Sequence, residues 1–195
     1  MRATRMMLHA SHGPWGDSSR HLSTGEIERG LEKLAPPAGS GTLALIVSRG
    51  DDGERATPDS VRLTCEEGVP GDAWLRDAPD KPDAQITMMR ADFGMLVANG
   101  QPLTLFGDNL IVDLDLSVEN LPAGSRIQLG GALLEVTPEP HTGCMKYRQR
   151  FGKEALKITR APGHRDQRLR GIYVKVASPG EVSVGDVLEV VSRGA

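Results

Sequence analysis

Apolar positions along this chain fall into short runs separated by Gly, Pro and Asp turns, the spacing of many short strands. The run Leu43–Val47, bounded by Gly41 and Gly50, predicts a buried strand, with a turn at Asp51-Asp52-Gly53. Across Ser60–Cys65 the apolar Val61, Leu63 and Cys65 alternate with Arg62 and Thr64. A period of two puts Cys65 on the buried face of a strand, so Cys65 reads as structural. Gln85–Met89 predicts a further strand, and Ala91–Ala98 a helix ending at Asn99-Gly100. Leu110–Leu116, Arg126–Leu129, Leu133–Val136, Ile172–Val176 and Val187–Val191 follow as apolar or alternating runs. Such a series predicts a closed or nearly closed barrel, because closure removes exposed strand edges.

Helical spacing is scarcer. Ser23-Thr24-Gly25-Glu26 offers a polar cap ahead of Ile27, Leu31 and Leu34, and Pro36-Pro37 ends the helix they predict. Tyr147, Phe151, Ala155 and Ile158 share one helix face, with Thr142 as a plausible N-cap and Cys144 in the first turn. Residues 1–20 carry almost no apolar period and read as an N-terminal surface extension without assigned function. With no internal repeat and no linker, residues 21–195 read as one mainly β domain, a barrel with a few short helices.

Composition narrows the function classes. A chain of 195 residues can bury a core without disulfides or a structural metal. A formal charge of −3 gives no overall reason to bind nucleic acid, and no run is long and apolar enough to span a membrane. The opening residues lack a signal-peptide core, which predicts a cytoplasmic protein with its two cysteines as thiols. Neither nucleotide-binding glycine pattern occurs. Asp72, Asp108 and Asp186 each follow a Gly and read as turn residues.

Phe106-Gly107-Asp108-Asn109-Leu110, Leu121-Pro122-Ala123-Gly124, Leu129-Gly130-Gly131-Ala132-Leu133-Leu134-Glu135-Val136-Thr137 and then Cys144 occur in an order that resembles the MOSC domain, named for the C-terminal part of molybdenum-cofactor sulfurases. Leu169-Arg170-Gly171-Ile172-Tyr173-Val174, Val184-Gly185-Asp186 and, upstream, Gly71-Asp72-Ala73-Trp74 add to the resemblance. It implies a MOSC-like β-barrel in which Cys144 either ligates molybdenum in the pterin cofactor or carries sulfur. The chain differs from amidoxime-reducing relatives in lacking their separate N-terminal β-barrel, which favours a partial cofactor binder or a carrier.

The residues around Cys144 suit either role. Only a thiolate binds metal or attacks an electrophile, and an ordinary thiol with a pKa of about 8.5 is mostly protonated at neutral pH. Helix amides, His141, Lys146 and Arg148 would favour the anion. The cations Lys146, Arg148, Arg150 and Arg170, with Arg165 and Arg168, are candidates to pair a cofactor phosphate, and their bland alternative is a solvated face. His141 is a candidate general acid or base, and its bland alternative is a surface loop histidine. Three readings stay open: a molybdenum-cofactor oxidoreductase or sulfurtransferase-like component with Cys144 as metal ligand, a sulfur carrier served by a cysteine desulfurase and an acceptor enzyme, and a small-molecule-binding module with an inert cysteine. The turn sequence predicts that Cys144 is accessible and Cys65 is not.

Overall fold

The computed structural model describes residues 14–194. Its helices are α1 (Thr24–Leu31), α2 (Ala73–Asp77), α3 (Ala91–Ala98), α4 (Met145–Phe151) and α5 (Lys153–Arg160). The strands are β1 (Ser40–Ile46), β2 (Ser48–Arg49), β3 (Arg55–Ala56), β4 (Ser60–Leu63), β5 (Ile86–Arg90), β6 (Leu110–Asp113), β7 (Arg126–Leu129), β8 (Ala132–Val136), β9 (Ile172–Ser178), β10 (Gly180–Ser183) and β11 (Val187–Ser192). Seven strands close a barrel in the order β1-β11-β7-β8-β9-β5-β6, as the run of short strands predicts. Helices and 3-10 turns together take about as many residues as the strands.

Every neighbouring pair in the barrel is antiparallel except β5 and β6. A parallel pair needs a crossover, and α3 supplies it. Asn109, fully buried just ahead of β6, fixes that junction. Its side-chain oxygen accepts from the Thr87 amide at 3.1 Å and the Thr87 hydroxyl at 2.9 Å, and its Nδ2 donates to the Val47 carbonyl at 3.2 Å. One side chain thereby ties β5 and the exit from β1 to the start of β6.

Apolar burial splits into two layers. Inside the barrel, Leu43, Ile86, Met88, Leu110, Ile127, Leu134, Val174 and Leu188 pack from alternating strand positions. Outside its wall, Met89 and Ile111 face the opposite way and meet Ile27, Phe93, Tyr147, Phe151 and Ala155 from the helices. Phe151 stacks on Phe106 with ring centroids 3.8 Å apart. This second core holds the Cys144 region against the barrel.

Two local expectations fail. Cys65 is exposed, because β4 ends at Leu63 and the chain turns at Thr64, whose amide donates to the Gly68 carbonyl at 3.1 Å. The single helix expected from Thr142 onward is two, because Gly152 sits at φ 93°, where the backbone leaves the helical region. Cys144 itself is the N-cap of α4, with no side-chain cap bond, and Thr142 lies outside the helix. Residues 14–20, read as part of an unassigned extension, pack onto α4 through Arg150, whose Nε donates to the Pro14 carbonyl at 2.9 Å. Residues 1–13 of that extension, and Ala195 of the predicted domain, lie outside the described residues.

Because Phe151 is 1% exposed and fills the layer between α4 and the barrel, Phe151→Ala should cost about 3–5 kcal/mol of unfolding free energy. Urea denaturation followed by far-UV circular dichroism measures this. A loss under about 1 kcal/mol would mean that the helical layer does not pack as described.

Candidate functional site

The most heavily charged part of the interior surrounds Asp108, a fully buried carboxylate between the positive-φ Gly107 and Asn109. Its partner is Arg170, whose Nη1 donates to both carboxylate oxygens at 2.8 and 2.7 Å. The two residues lead into β6 and β9, the strands on either side of β5. Burial pushes the Asp108 carboxyl up, and the Arg170 guanidinium opposes the rise. Gly171, which follows Arg170, adopts φ 105°, and a Cβ there would overlap the Met88 carbonyl. No other residue type fits that approach.

His141 lies over this pair. Its side chain is 6% exposed, its Nδ1 is 3.6 Å from Asp108 Oδ1, and its ring is tilted against Tyr173 at 4.5 Å. That separation is too long for a hydrogen bond, and Nδ1 has no hydrogen-bond partner among the described residues. Burial, reinforced by the Arg170 and Arg49 charges, holds the imidazole well below its ordinary pKa, so His141 is neutral at pH 7. Beneath Arg170 lies Tyr147, its ring centroid 5.1 Å from the guanidinium carbon. Burial raises the phenol, whose hydroxyl is enclosed without a hydrogen-bond partner among the described residues, as is Arg170 Nε.

Further arginines crowd the same region. Arg49 of β2 grips Asp72 through Nε at 3.0 Å and Nη2 at 2.5 Å, and Asp72 also caps α2 by accepting from the Trp74 amide. Arg55 of β3 packs over Gly107, and its Nε is buried without a hydrogen-bond partner among the described residues. Burial lowers Arg55, and Arg49 lowers it further. Arg150 of α4 is buried and donates from Nη1 to the Leu105 carbonyl at 2.7 Å. Burial brings it down to about 10; Arg55 and Arg170 oppose its charge, while Asp108 favours it.

Residues 82–189 match the family model of the MOSC domain. The chain belongs to the MOSC domain family. A curated relative, an uncharacterized Bacillus subtilis protein called YflK, is 36% identical over 90 residues, which span 46% of this chain and 38% of that protein. Among solved structures, YuaD from Bacillus subtilis superposes with a TM-score of 0.63 at 18% identity, over 82% of this chain and 100% of that one. YiiM from Escherichia coli gives 0.55 at 26% identity, over 79% and 71%. YiiM from Geobacillus stearothermophilus gives 0.52 at 20% identity, over 80% and 77%.

In this MOSC domain the residues singled out by sequence divide among three places. Cys144, Lys146 and Arg148 line one cavity on the outer face of α4. His141 and Arg170 line a second, with Arg165 and Arg168, on the other side of the 138–144 segment. Arg150 lies under α4, buried. Asp72 and Asp108, read from sequence as turn residues, are instead the carboxylates that anchor Arg49 and Arg170. Only Asp186 behaves as expected, accepting from the Ser183 amide at 2.7 Å. Arg49, Arg55 and Tyr173 gave no local signal in the sequence; the one available hint was the Gly-Asp pair ahead of a predicted strand.

The depressed His141 sets a pH dependence. An unfolded chain takes up a proton at this residue below about pH 6.5, whereas the folded chain resists it. Stability is therefore full above that pH and falls as acid is added. Unfolding free energies at about pH 7 and pH 5 should drop more steeply for the wild type than for His141→Gln. Equal slopes would show that His141 is protonated in the folded protein.

Proposed function

We propose that this MOSC domain binds the molybdenum cofactor, with the Cys144 thiolate as metal ligand and the neighbouring arginines as partners for the cofactor's anionic groups. The observation that carries the reading is the buried arginine cluster beneath α4, in which Arg55 Nε and Arg170 Nε have no hydrogen-bond partner among the described residues. Asp72 pairs with Arg49 and Asp108 with Arg170, while burial and the Arg49 charge together lower Arg55. Burying like charges without counterions is costly, and a bound phosphate or another anion relieves it. Unpartnered donors at Tyr147 Oη, Arg55 Nε and Arg170 Nε suit the same class of group.

The donor set fits. Cys144 is exposed and is a soft ligand of the type molybdenum accepts. When bound, the cofactor supplies a redox-active metal centre. The chain's own residues have separate tasks. Arg170 stays fixed by Asp108, so its free Nε keeps one orientation. Neutral His141 adds no further positive charge beside it, and the raised Tyr147 keeps its proton to donate. Lys146 and Arg148 stand at the entrance beside Cys144. A sulfur carrier would use the same exposed thiol but leaves the open donors of Arg55 and Arg170 without a role, so it explains less of the molecule.

The test is metal analysis of protein produced in a molybdate-replete host that makes the cofactor. The wild type should hold molybdenum near one atom per chain, Cys144→Ser should lose most of it, and Arg55→Gln should lower it about tenfold, the loss of one charge-assisted bond. Arg55 is the better arginine to change, because Arg170→Ala would strand a buried carboxylate and cost several kcal/mol of stability. If the folded wild type holds no molybdenum and instead gains one sulfur atom at Cys144 from a cysteine desulfurase, the carrier reading replaces this one.

A further inference from the structure

The second cavity, of about 530 Å³, has neither Cys144 nor Lys146 nor Arg148 in its lining. Its volume falls within the range of small-molecule sites. Three parts of the chain build most of it: the segment 137–142, the end of α5 with the 3-10 turn Pro162–Gln167, and the start of β9.

These parts are fixed to one another and to the barrel. The Thr137 hydroxyl donates to the Asp83 carbonyl at 2.6 Å, and its amide to the Tyr173 carbonyl at 3.0 Å. The Arg160 guanidinium donates to the Gly143 carbonyl, which ties α5 to the chain just after the 137–142 segment. Arg168 donates from Nη1 to the Leu121 carbonyl at 2.5 Å, and the Val118 amide donates to the Asp166 carbonyl at 2.8 Å. The cavity is thus formed before any ligand arrives.

Its charged lining is only partly satisfied. Asp166 favours the charge of Arg168. Glu139 and Arg165, both exposed, also line the cavity, yet neither side chain makes an ion pair or a hydrogen bond among the described residues. One uncommitted anion and one uncommitted cation therefore share a single cavity, beside apolar surface from Val118, Pro138, Pro140 and Ile172. A ligand carrying both charges satisfies both.

A third contact comes from deeper in the protein. His141 lines the cavity although its side chain is only 6% exposed. Its Nδ1 is sealed beside Asp108, so the nitrogen turned towards the cavity is Nε2. The carboxylate 3.6 Å away favours the tautomer protonated on Nδ1, which leaves Nε2 an acceptor. Among the described residues nothing donates to it. A nearly buried acceptor here calls for a donor on the ligand.

We propose that this cavity binds a polar α-amino acid as its zwitterion. Arg165 pairs the carboxylate, Glu139 pairs the ammonium, and His141 Nε2 accepts from an amide or hydroxyl at the end of the side chain. The site lies apart from Cys144 and stands whatever that cysteine binds.

Titration of the nitrogen-15-labelled protein with L-glutamine, followed by amide chemical shifts, tests this. Three comparators each lack one group: N-acetyl-L-glutamine the ammonium, L-glutaminamide the carboxylate, and L-norleucine the side-chain donor. Glutamine should shift amides within 137–142 and 159–172 and bind more tightly than all three. Norleucine should bind about fivefold more weakly, the loss of one hydrogen bond. Arg165→Gln and Glu139→Gln should each weaken glutamine about three- to fivefold, since exposed ion pairs contribute modestly. Neither change removes a contact that the fold uses. No shift in the wild type, shifts centred outside this cavity, a comparator binding as tightly as glutamine, or unchanged affinity in both variants would overturn the proposal.

Discussion

A carboxylate with no access to water must be neutralised by a partner held in place, and the Asp108–Arg170 pair meets that requirement at the centre of this protein. Asp108 enters from the start of β6 and Arg170 from the start of β9, so the pair spans β5 and couples two strands that are not neighbours. Both approaches need glycine, at Gly107 and Gly171, because the backbone takes positive φ there. His141, Tyr147 and Tyr173 then pack around the charges. Losing either member would leave the other charge buried alone, so the pair constrains the loops that carry the candidate site as well as the barrel.

Much of the barrel is legible in the sequence because strand burial repeats every second residue. Arg126–Leu129 coincides with β7, and the expected starts at Leu110, Ile172 and Val187 are those of β6, β9 and β11. Errors came where local pattern and tertiary placement part. The alternation through Cys65 continues in sequence after the strand has ended in space. The helix face through Tyr147, Phe151, Ala155 and Ile158 is genuine burial, but Gly152 divides it between two helices. Gly-Asp looks alike in a surface turn and in a buried ion pair. Asp108 differs from Asp186 only through a guanidinium 62 positions away in sequence, which no local window contains.

The candidate site is legible to the same degree. Cys144 stands out in its polar turn, and it is exposed. The cations that matter most are distributed otherwise than local sequence suggests: Lys146 and Arg148 reach the outer cavity, Arg150 turns inward, and Arg49 and Arg55 arrive from a two-stranded hairpin with no pattern of its own. What joins them is a charge balance, and a charge balance is a property of the folded interior.

The seam between β1 and β11 carries one more consequence. The first strand of the barrel is hydrogen-bonded to its last, with Ser40 opposite Glu189 and the Val190 amide donating to the Gly39 carbonyl at 2.7 Å. The way into the barrel and the way out of it therefore sit side by side at one edge of the wall. Such a barrel can be spliced into a longer polypeptide as a cassette, its neighbours joining at a single doorway, without unpicking any strand that surrounds the charged interior.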